Sequence, residues 1–183
     1  MNEFLSQGQN LQHSLALLIL LGRVGDLGST YLASPTLKLE ANPFIRRARW
    51  PAGILSLGLC LIPYYNTALA VLVLVPSLLV SGNNLARGWV ARAVGEDEML
   101  AFLQGAARRT PPLVAIAFTA GAGAFVMLAG AVLLVLSGGQ REWAYWFALG
   151  VILYGGVVGV YGSLFTMRLR RQATPTLPAR EAA

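Results

Sequence analysis

Charged residues and metal-binding side chains are scarce in this chain of 183 residues. Only 12% of the residues are Asp, Glu, Lys or Arg, about half the fraction that soluble domains carry. The chain has one histidine, His13, and one cysteine, Cys60, and it contains no HExxH motif. These absences argue against a zinc site of the usual kind, a histidine-based catalytic triad and an internal disulfide.

Long apolar runs take the place of the missing charge, since 56% of the residues are hydrophobic. Runs of this length predict an all-α, polytopic membrane protein. We expect residues 1–171 to form a single transmembrane helical domain and residues 172–183, which are polar and contain proline, to form a disordered cytoplasmic tail. The net charge of +6 comes from basic residues at the ends of apolar runs. This distribution indicates topology signals and contacts with membrane lipids rather than a nucleic-acid surface.

The apolar runs predict five membrane spans, at about 14–33, 48–64, 67–85, 113–136 and 143–167. Residues 52–82 are ambiguous, because as one helix they would be about 46 Å long against a hydrocarbon core of about 30 Å. Pro63 and the following Tyr64–Asn66 provide a break between two shorter helices. The alternative is one long, kinked helix and four spans. Between the third and fourth spans we expect interfacial helices over 86–110, divided at Gly95.

The distribution of basic residues favours five spans with the N-terminus outside. In that topology 12 basic residues lie in the cytoplasm and Arg141 alone lies outside. With four spans, eight basic residues would lie on one side of the membrane and five on the other. The cytoplasmic set comprises Lys38, Arg46, Arg47, Arg49, Arg87, Arg92, Arg108, Arg109, Arg168, Arg170, Arg171 and Arg180.

Polar residues form a stripe along the first predicted span. Arg23, Asp26, Ser29 and Thr30 are three or four positions apart, so they share one helix face, while the other faces are apolar. Ionisable groups within spans are costly and usually mark function. The simpler interpretation is an ion pair in which Arg23 and Asp26 neutralise each other.

Two other segments carry polar residues to the same predicted level of the membrane. Glu40 and Asn42 follow the first span, and Asn84 and Arg87 share a face at the end of the third. We therefore predict a pocket on the cytoplasmic side. The arginines suit a phosphate group, and the carboxylates of Asp26 and Glu40 suit Mg²⁺ or Ca²⁺. Each residue also has a structural alternative, such as a helix cap for Asn84 and a solvated loop carboxylate for Glu40.

Small residues line one face of the last predicted span. Gly155 and Gly159 form a GxxxG motif, and Gly162 continues the same face. Such faces let helix backbones approach closely, and packing is the favoured use. A second copy of the chain or a partner subunit binding through these glycines is the alternative.

The arrangement Asp26-x-x-Ser29-Thr30 followed by Glu40-x-Asn42-Pro43 resembles a group of small bacterial membrane proteins of unknown function. Members of that group have an Asp-x-x-x-Thr in the first helix and a Glu-x-Asn-Pro after it. The resemblance covers residues 22–50 and implies a polytopic, all-helical protein, for which we expect a location in the bacterial inner membrane. It supplies no activity.

Three function classes follow from these observations. The first is a binding or transport protein whose cytoplasmic-side pocket takes a cation or a phosphate-bearing ligand. The second is a membrane enzyme acting on a lipid or phosphorylated substrate, with Asp26 and Glu40 as its carboxylates. The third is a non-catalytic subunit of a membrane complex. The sequence identifies no catalytic residue and leaves open whether the protein is an enzyme.

Overall fold

The computed structural model describes residues 2–138 and 143–173, and the side chains of residues 10–138 and 143–172. Within these residues the chain is entirely helical and contains no strand, as predicted. The α-helices are α1 (Asn2–Ala33), α2 (Pro43–Leu55), α3 (Thr67–Val94), α4 (Glu96–Arg109), α5 (Pro112–Leu136) and α6 (Trp143–Ala173), with a 3₁₀ helix, Ser56–Tyr64, between α2 and α3.

Four of the described helices are long and apolar enough to cross a membrane. They are Asn10–Ala33, Thr67–Val94, Pro112–Leu136 and Trp143–Gln172. This composition is that of a multi-pass membrane protein. The count of five spans, the outside N-terminus and the bacterial inner membrane stay predictions.

The stretch between α1 and α3 differs in detail from the predicted single helix over 48–64. α2 begins earlier, at Pro43, because the side chain of Asn42 caps it by accepting hydrogen bonds from the backbone N–H groups of Phe44 and Ile45. Arg49 interrupts it with φ 60° and ψ −156°. Beyond Leu55 the chain continues as the 3₁₀ helix, and Asn66 then caps α3 by accepting from the N–H of Leu69.

This stretch runs beside α1 in the opposite direction. The indole N–H of Trp50 donates to the carbonyl of Pro35, just beyond the end of α1. At the other end, the hydroxyl of Tyr64 lies 2.8 Å from Nδ1 of His13. Residues 50–64 therefore accompany α1 over the same length that α1 covers between residue 13 and its end.

α1 and α3 lie side by side and supply most of the buried core. Leu15 and Ile19 of α1 pack with Ala70, Val71 and Val75 of α3. Further along, small residues bring the two helices close together. A Cβ at Gly22 would lie 3.4 Å from the Cβ of Ser77, and one at Gly88 would lie 3.5 Å from the Cβ of Ala33.

The interfacial region also differs from its predicted bounds. α3 continues through residue 86 to Val94, so its last nine residues are not a separate helix. The predicted division at Gly95 is confirmed, since Gly95 has a φ of +100° and α4 begins at Glu96. α6 also extends beyond residue 167 and includes Gln172 and Ala173, which were predicted to begin the tail. The rest of the predicted tail and Arg141 lie outside the described residues.

The glycines of α6 pack against α5 of the same chain. A Cβ at Gly155 would lie 2.7 Å from the carbonyl oxygen of Gly123, and one at Gly162 would lie 3.4 Å from the Cβ of Thr119. Gly159 faces Ala120 and Gly123 in the same way. A second copy or a subunit that bound through these glycines would have to displace α5. Partner binding itself stays a prediction.

Candidate functional site

The ion pair expected within α1 is present and is extended by a third group. Arg23 Nη1 lies 2.9 Å from Asp26 Oδ2, and the two side chains are only 16% and 15% exposed. Arg23 also donates from Nη2 to the hydroxyl of Ser56, at 2.7 Å. Because Ser56 begins the 3₁₀ helix, Arg23 links this helix to α1.

Asn84 joins the same cluster from α3. Its amide nitrogen is 3.1 Å from the hydroxyl of Thr30 and 3.4 Å from Asp26 Oδ1. Asn84 lies in the middle of α3, so the alternative that it caps a helix end is wrong. We name Arg23, Asp26, Thr30, Ser56 and Asn84 the span cluster. Three segments of the chain thus contribute to one polar group, as the sequence predicted for α1 and α3.

Ser29 belongs to the packing between helices rather than to this cluster. It is 3% exposed, and its hydroxyl donates to the backbone carbonyl of Asp26. Ser81, which the sequence placed among the polar residues at the end of the third span, crosses from α3 to α1 by donating to the carbonyl of Gly22 at 3.0 Å. These serines satisfy their own hydrogen bonds at the α1–α3 contact, so they add no free polar group to a pocket.

Glu40 lies in the loop between α1 and α2 and is close to the span cluster. Its carboxylate accepts a hydrogen bond from the backbone N–H of Asn42 at 2.6 Å. Burial raises the pKa of the Glu40 carboxyl, and the negative charge of Asp26 raises it further, against the opposing effects of the Asn42 bond and Arg46. Asn42 has its side chain committed to the cap of α2, so its role here is structural.

Two arginines from distant parts of the chain meet at this loop. Arg46 Nη1 donates to the backbone carbonyl of Glu40 at 3.3 Å, and Arg168 Nη1 donates to that of Lys38 at 3.2 Å. The two guanidinium groups are close enough for their charges to interact. Neither lies within 4 Å of a carboxylate oxygen in the described part of the chain. We name Arg46 and Arg168 the arginine pair.

Arg87 stands apart from these contacts. It is exposed on α3, and its charge acts on the phenol of Tyr154 in α6. The structure therefore brings Arg23, Asp26, Thr30 and Asn84 into direct contact, and brings Glu40 near them. It does not bring Ser29, Asn42 or Arg87 into the same hydrogen-bonded group.

A second carboxylate, which the sequence had assigned only to the start of a helix, holds the loop between α1 and α2. Glu96 accepts hydrogen bonds from the hydroxyl of Ser34, the N–H and hydroxyl of Thr36, and the N–H of Lys38. The Lys38 ammonium also pairs with Asp97. Partial burial alone would raise the pKa of Glu96, but the hydrogen bonds from Ser34, Thr36 and Lys38 bring it below its ordinary value. We name these contacts the Glu96 latch.

The arrangement gives little support to a bound metal ion. Asp26 already faces the guanidinium of Arg23 and the amide of Asn84, both of which occupy directions that a cation would need. Among residues 2–138 and 143–173, no group of three or more His, Cys, Asp or Glu side chains is placed to hold a metal. The Mg²⁺ or Ca²⁺ site at Asp26 and Glu40 stays a prediction.

Comparisons with known proteins add no assignment. The chain matches no protein-family model, no curated protein and no solved structure. The resemblance carried by residues 22–50 is therefore not tested, and the function is argued from the residues themselves.

Proposed function

We propose that this protein binds a phosphate-bearing ligand at the cytoplasmic end of a five-span bundle. Two guanidinium groups whose charges act on each other, neither with a carboxylate oxygen within 4 Å among the described residues, suit the recognition of phosphate. The observation that carries the proposal is the arginine pair, whose members come from α2 and α6 and are each anchored to the loop by a backbone carbonyl. The Glu96 and Asp97 carboxylates at the same loop are already engaged, by hydrogen bonds from the loop and by the Lys38 ammonium, and neither lies within 4 Å of the arginine pair.

The five-span topology is supported by the length of the segment beside α1. Residues 51–64, partly α-helical and partly 3₁₀, extend over about 25 Å at ordinary helix rises, close to the thickness of a hydrocarbon core. The contacts of Trp50 and Tyr64 with opposite ends of α1 support the same crossing. At one end of the bundle, Arg168 donates to the backbone carbonyl of Lys38, and the Lys38 ammonium pairs with Asp97. The positive-inside rule assigns this basic end to the cytoplasm.

Labelling of single cysteines tests the topology. In a Cys60→Ala background, Tyr65→Cys and Lys38→Cys introduce thiols at the two ends of residues 50–64. We expect a membrane-impermeant maleimide to label Tyr65→Cys in intact cells and Lys38→Cys only after the cells are opened. Labelling of both positions from the same side would indicate four spans instead.

Phosphate binding is tested with the full chain in nanodiscs made of zwitterionic lipid. Inorganic phosphate and pyrophosphate serve as probes, and the midpoint of thermal unfolding reports binding. We expect both probes to raise the midpoint of the wild type but not of Arg168→Gln or Arg46→Gln. Arg171→Gln, which removes a nearby charge of α6 outside the pair, should retain the response. An equal loss in all three variants would mean that only diffuse charge is involved.

A membrane enzyme is the second candidate, and the closeness of Glu40 to Asp26 favours it. A carboxyl with a raised pKa beside a second carboxylate has the form of a general acid paired with a base. The test is release of water-soluble phosphate compounds from mixed phospholipids by the purified wild type and by Glu40→Gln. Absence of turnover in the wild type would remove this candidate and leave the binding proposal as it stands.

A further inference from the structure

A groove separate from the span cluster and the arginine pair lies where α1 ends and α2 bends. It has a volume of about 370 Å³ and is lined by Pro35, Thr36, Leu37, Arg49, Trp50 and Pro51. This volume falls in the range of sites that take a small organic group. Its wall is mostly apolar, with the Arg49 side chain as its charged member.

The backbone around this groove is strained at two of its lining residues. Leu37 has a φ of 61° and Arg49 a φ of 60°, and in the described residues these are the positive φ values that do not belong to glycine. The ψ of −156° puts Arg49 in a conformation that is almost confined to glycine. Strain of this kind persists where the surrounding structure holds it, and it concentrates at binding sites. Both strained residues line the same groove.

The surroundings of the groove are those of a membrane interface. Arg47 and Arg49 are exposed, and neither makes a hydrogen bond or ion pair among the residues whose side chains are described. Trp50 packs edge-to-face against Tyr31, an aromatic pair of the kind found at the headgroup level.

Exposed apolar side chains lie close in the sequence to both segments that line the groove. α2 approaches α1 at Gly53, where a Cβ would lie 2.7 Å from Cδ2 of Leu27, and the following 3₁₀ helix continues the packing against α1. Near these residues in the sequence, Leu32, Ile54 and Leu55 are 51%, 62% and 81% exposed. Exposed apolar side chains on both segments suit an acyl chain lying along them.

We propose that the groove binds one anionic phospholipid, with its phosphate on Arg49 and an acyl chain along the contact between α1 and α2. Charge complementarity selects an anionic lipid, because the adjacent arginines are unpaired. The exposed apolar side chains select a lipid over a soluble phosphate compound. The site is distinct from the arginine pair, so it stands independently of the proposed function.

Native mass spectrometry of the detergent-purified full chain tests this inference. Phosphatidylglycerol and phosphatidylcholine with identical acyl chains are titrated separately. We expect phosphatidylglycerol to bind at least about tenfold more tightly, and Arg49→Gln to lose about that factor, as expected for one charge-assisted contact. Arg47→Gln is the matched control, because it removes the neighbouring charge without changing the groove, and its affinity should stay within about twofold of the wild type.

A second variant separates binding from folding. Arg49→Gly removes the guanidinium from a backbone conformation that glycine adopts readily. We expect it to remain folded, with an unfolding midpoint in lipid-free detergent no lower than the wild type, and to lose selectivity for phosphatidylglycerol. Arg49→Gln should also leave the response to pyrophosphate unchanged, which separates this site from the arginine pair.

Three outcomes would overturn the inference. An equal loss of affinity for phosphatidylglycerol in Arg47→Gln and Arg49→Gln would indicate diffuse electrostatic attraction. Equal affinity of the wild type for the two lipids would indicate ordinary solvation by lipid. Displacement of phosphatidylglycerol by glycerol 3-phosphate at matching concentration would mean that the acyl chain contributes nothing and that the ligand is a soluble phosphate compound.

Discussion

The Glu96 latch yields the sharpest prediction, because one carboxylate accepts from four donors of a single loop. The perturbation is Glu96→Gln. Hydrogen bonds to a charged acceptor contribute about 1.5–3 kcal/mol each. Glutamine keeps one acceptor oxygen, so about two bonds are lost, and partial exposure reduces their contribution by about half. We therefore expect the free energy of opening the loop to fall by at least about 1.5 kcal/mol, the lower end of the resulting range.

Hydrogen–deuterium exchange measures this opening directly, because the N–H groups of Thr36 and Lys38 are themselves donors to Glu96. A change of about 1.5 kcal/mol corresponds to about tenfold faster exchange. Glu98→Gln is the matched control, since Glu98 lies in the same first turn of α4 and is exposed. Both variants weaken the interaction with the helix dipole, so the difference between them isolates the latch. Equal exchange in the two variants would refute the reasoning.

The dependence of the latch on pH follows from the direction of the Glu96 shift. The pKa of Glu96 in the folded protein lies below its ordinary value of 4.5, so its stabilisation is complete above about pH 4.5 and is lost as the pH falls through the folded value. After correction for intrinsic exchange rates, protection of residues 36 and 38 should be constant from pH 7 to pH 5 and should fall below about pH 4.5. In Glu96→Gln this fall should be absent.

Three further predictions concern unfolding midpoints in detergent. Gly123→Ala should lower stability by about 1–3 kcal/mol, because its Cβ would lie 2.5 Å from the carbonyl oxygen of Gly155, while Gly121→Ala, with nothing within 4 Å, should have little effect. Asp26→Asn should lower the free energy of unfolding by about 3 kcal/mol, because it leaves the Arg23 guanidinium without its carboxylate partner. Asn84→Ala should lower it by only about 1 kcal/mol, and equal losses in the two variants would argue against the ion pair. Glu40→Gln should stabilise the protein at pH 7 but not at pH 4, because the raised pKa of Glu40 means that its charged form is unfavourable in the folded protein. The same difference in unfolding midpoint between variant and wild type at both pH values would contradict this.

Features set by neighbours in the chain were predictable from the sequence. The pairing of Arg23 with Asp26 follows from a spacing of three residues on a helix. The change of helix at Gly95 follows from the conformational freedom of glycine and from the three acidic residues that begin α4. Four of the five predicted spans coincide with helices of spanning length and composition. These features depend on local geometry, which a sequence pattern expresses directly.

Features that depend on distant residues were not predictable. Ser34 and Glu96 are 62 residues apart, and Lys38 and Arg168 are 130 residues apart. Arg168 was interpreted only as a topology signal, since nothing near it in the sequence indicates that α6 ends beside the loop between α1 and α2. The bend at Arg49 was also missed, because neither Arg49 nor its neighbours show the glycine that normally accompanies such a φ.

The span cluster and the arginine pair differ in whether their charges are cancelled, and this difference assigns a structural role to the first and a binding role to the second. In the span cluster the charges of Arg23 and Asp26 cancel, and Ser56, Thr30 and Asn84 satisfy the remaining hydrogen bonds, so the cluster is complete without a ligand. In the arginine pair, Arg46 and Arg168 donate to neutral backbone carbonyls, and among the described residues neither has a carboxylate oxygen within 4 Å, although the charge of Glu40 acts on Arg46. Substitutions in the first should therefore reduce stability whether or not phosphate is present. Substitutions in the second should remove the phosphate response; their effect on the ligand-free protein should be smaller, because the lost bond to a backbone carbonyl and the relieved repulsion between the guanidinium groups act in opposite directions.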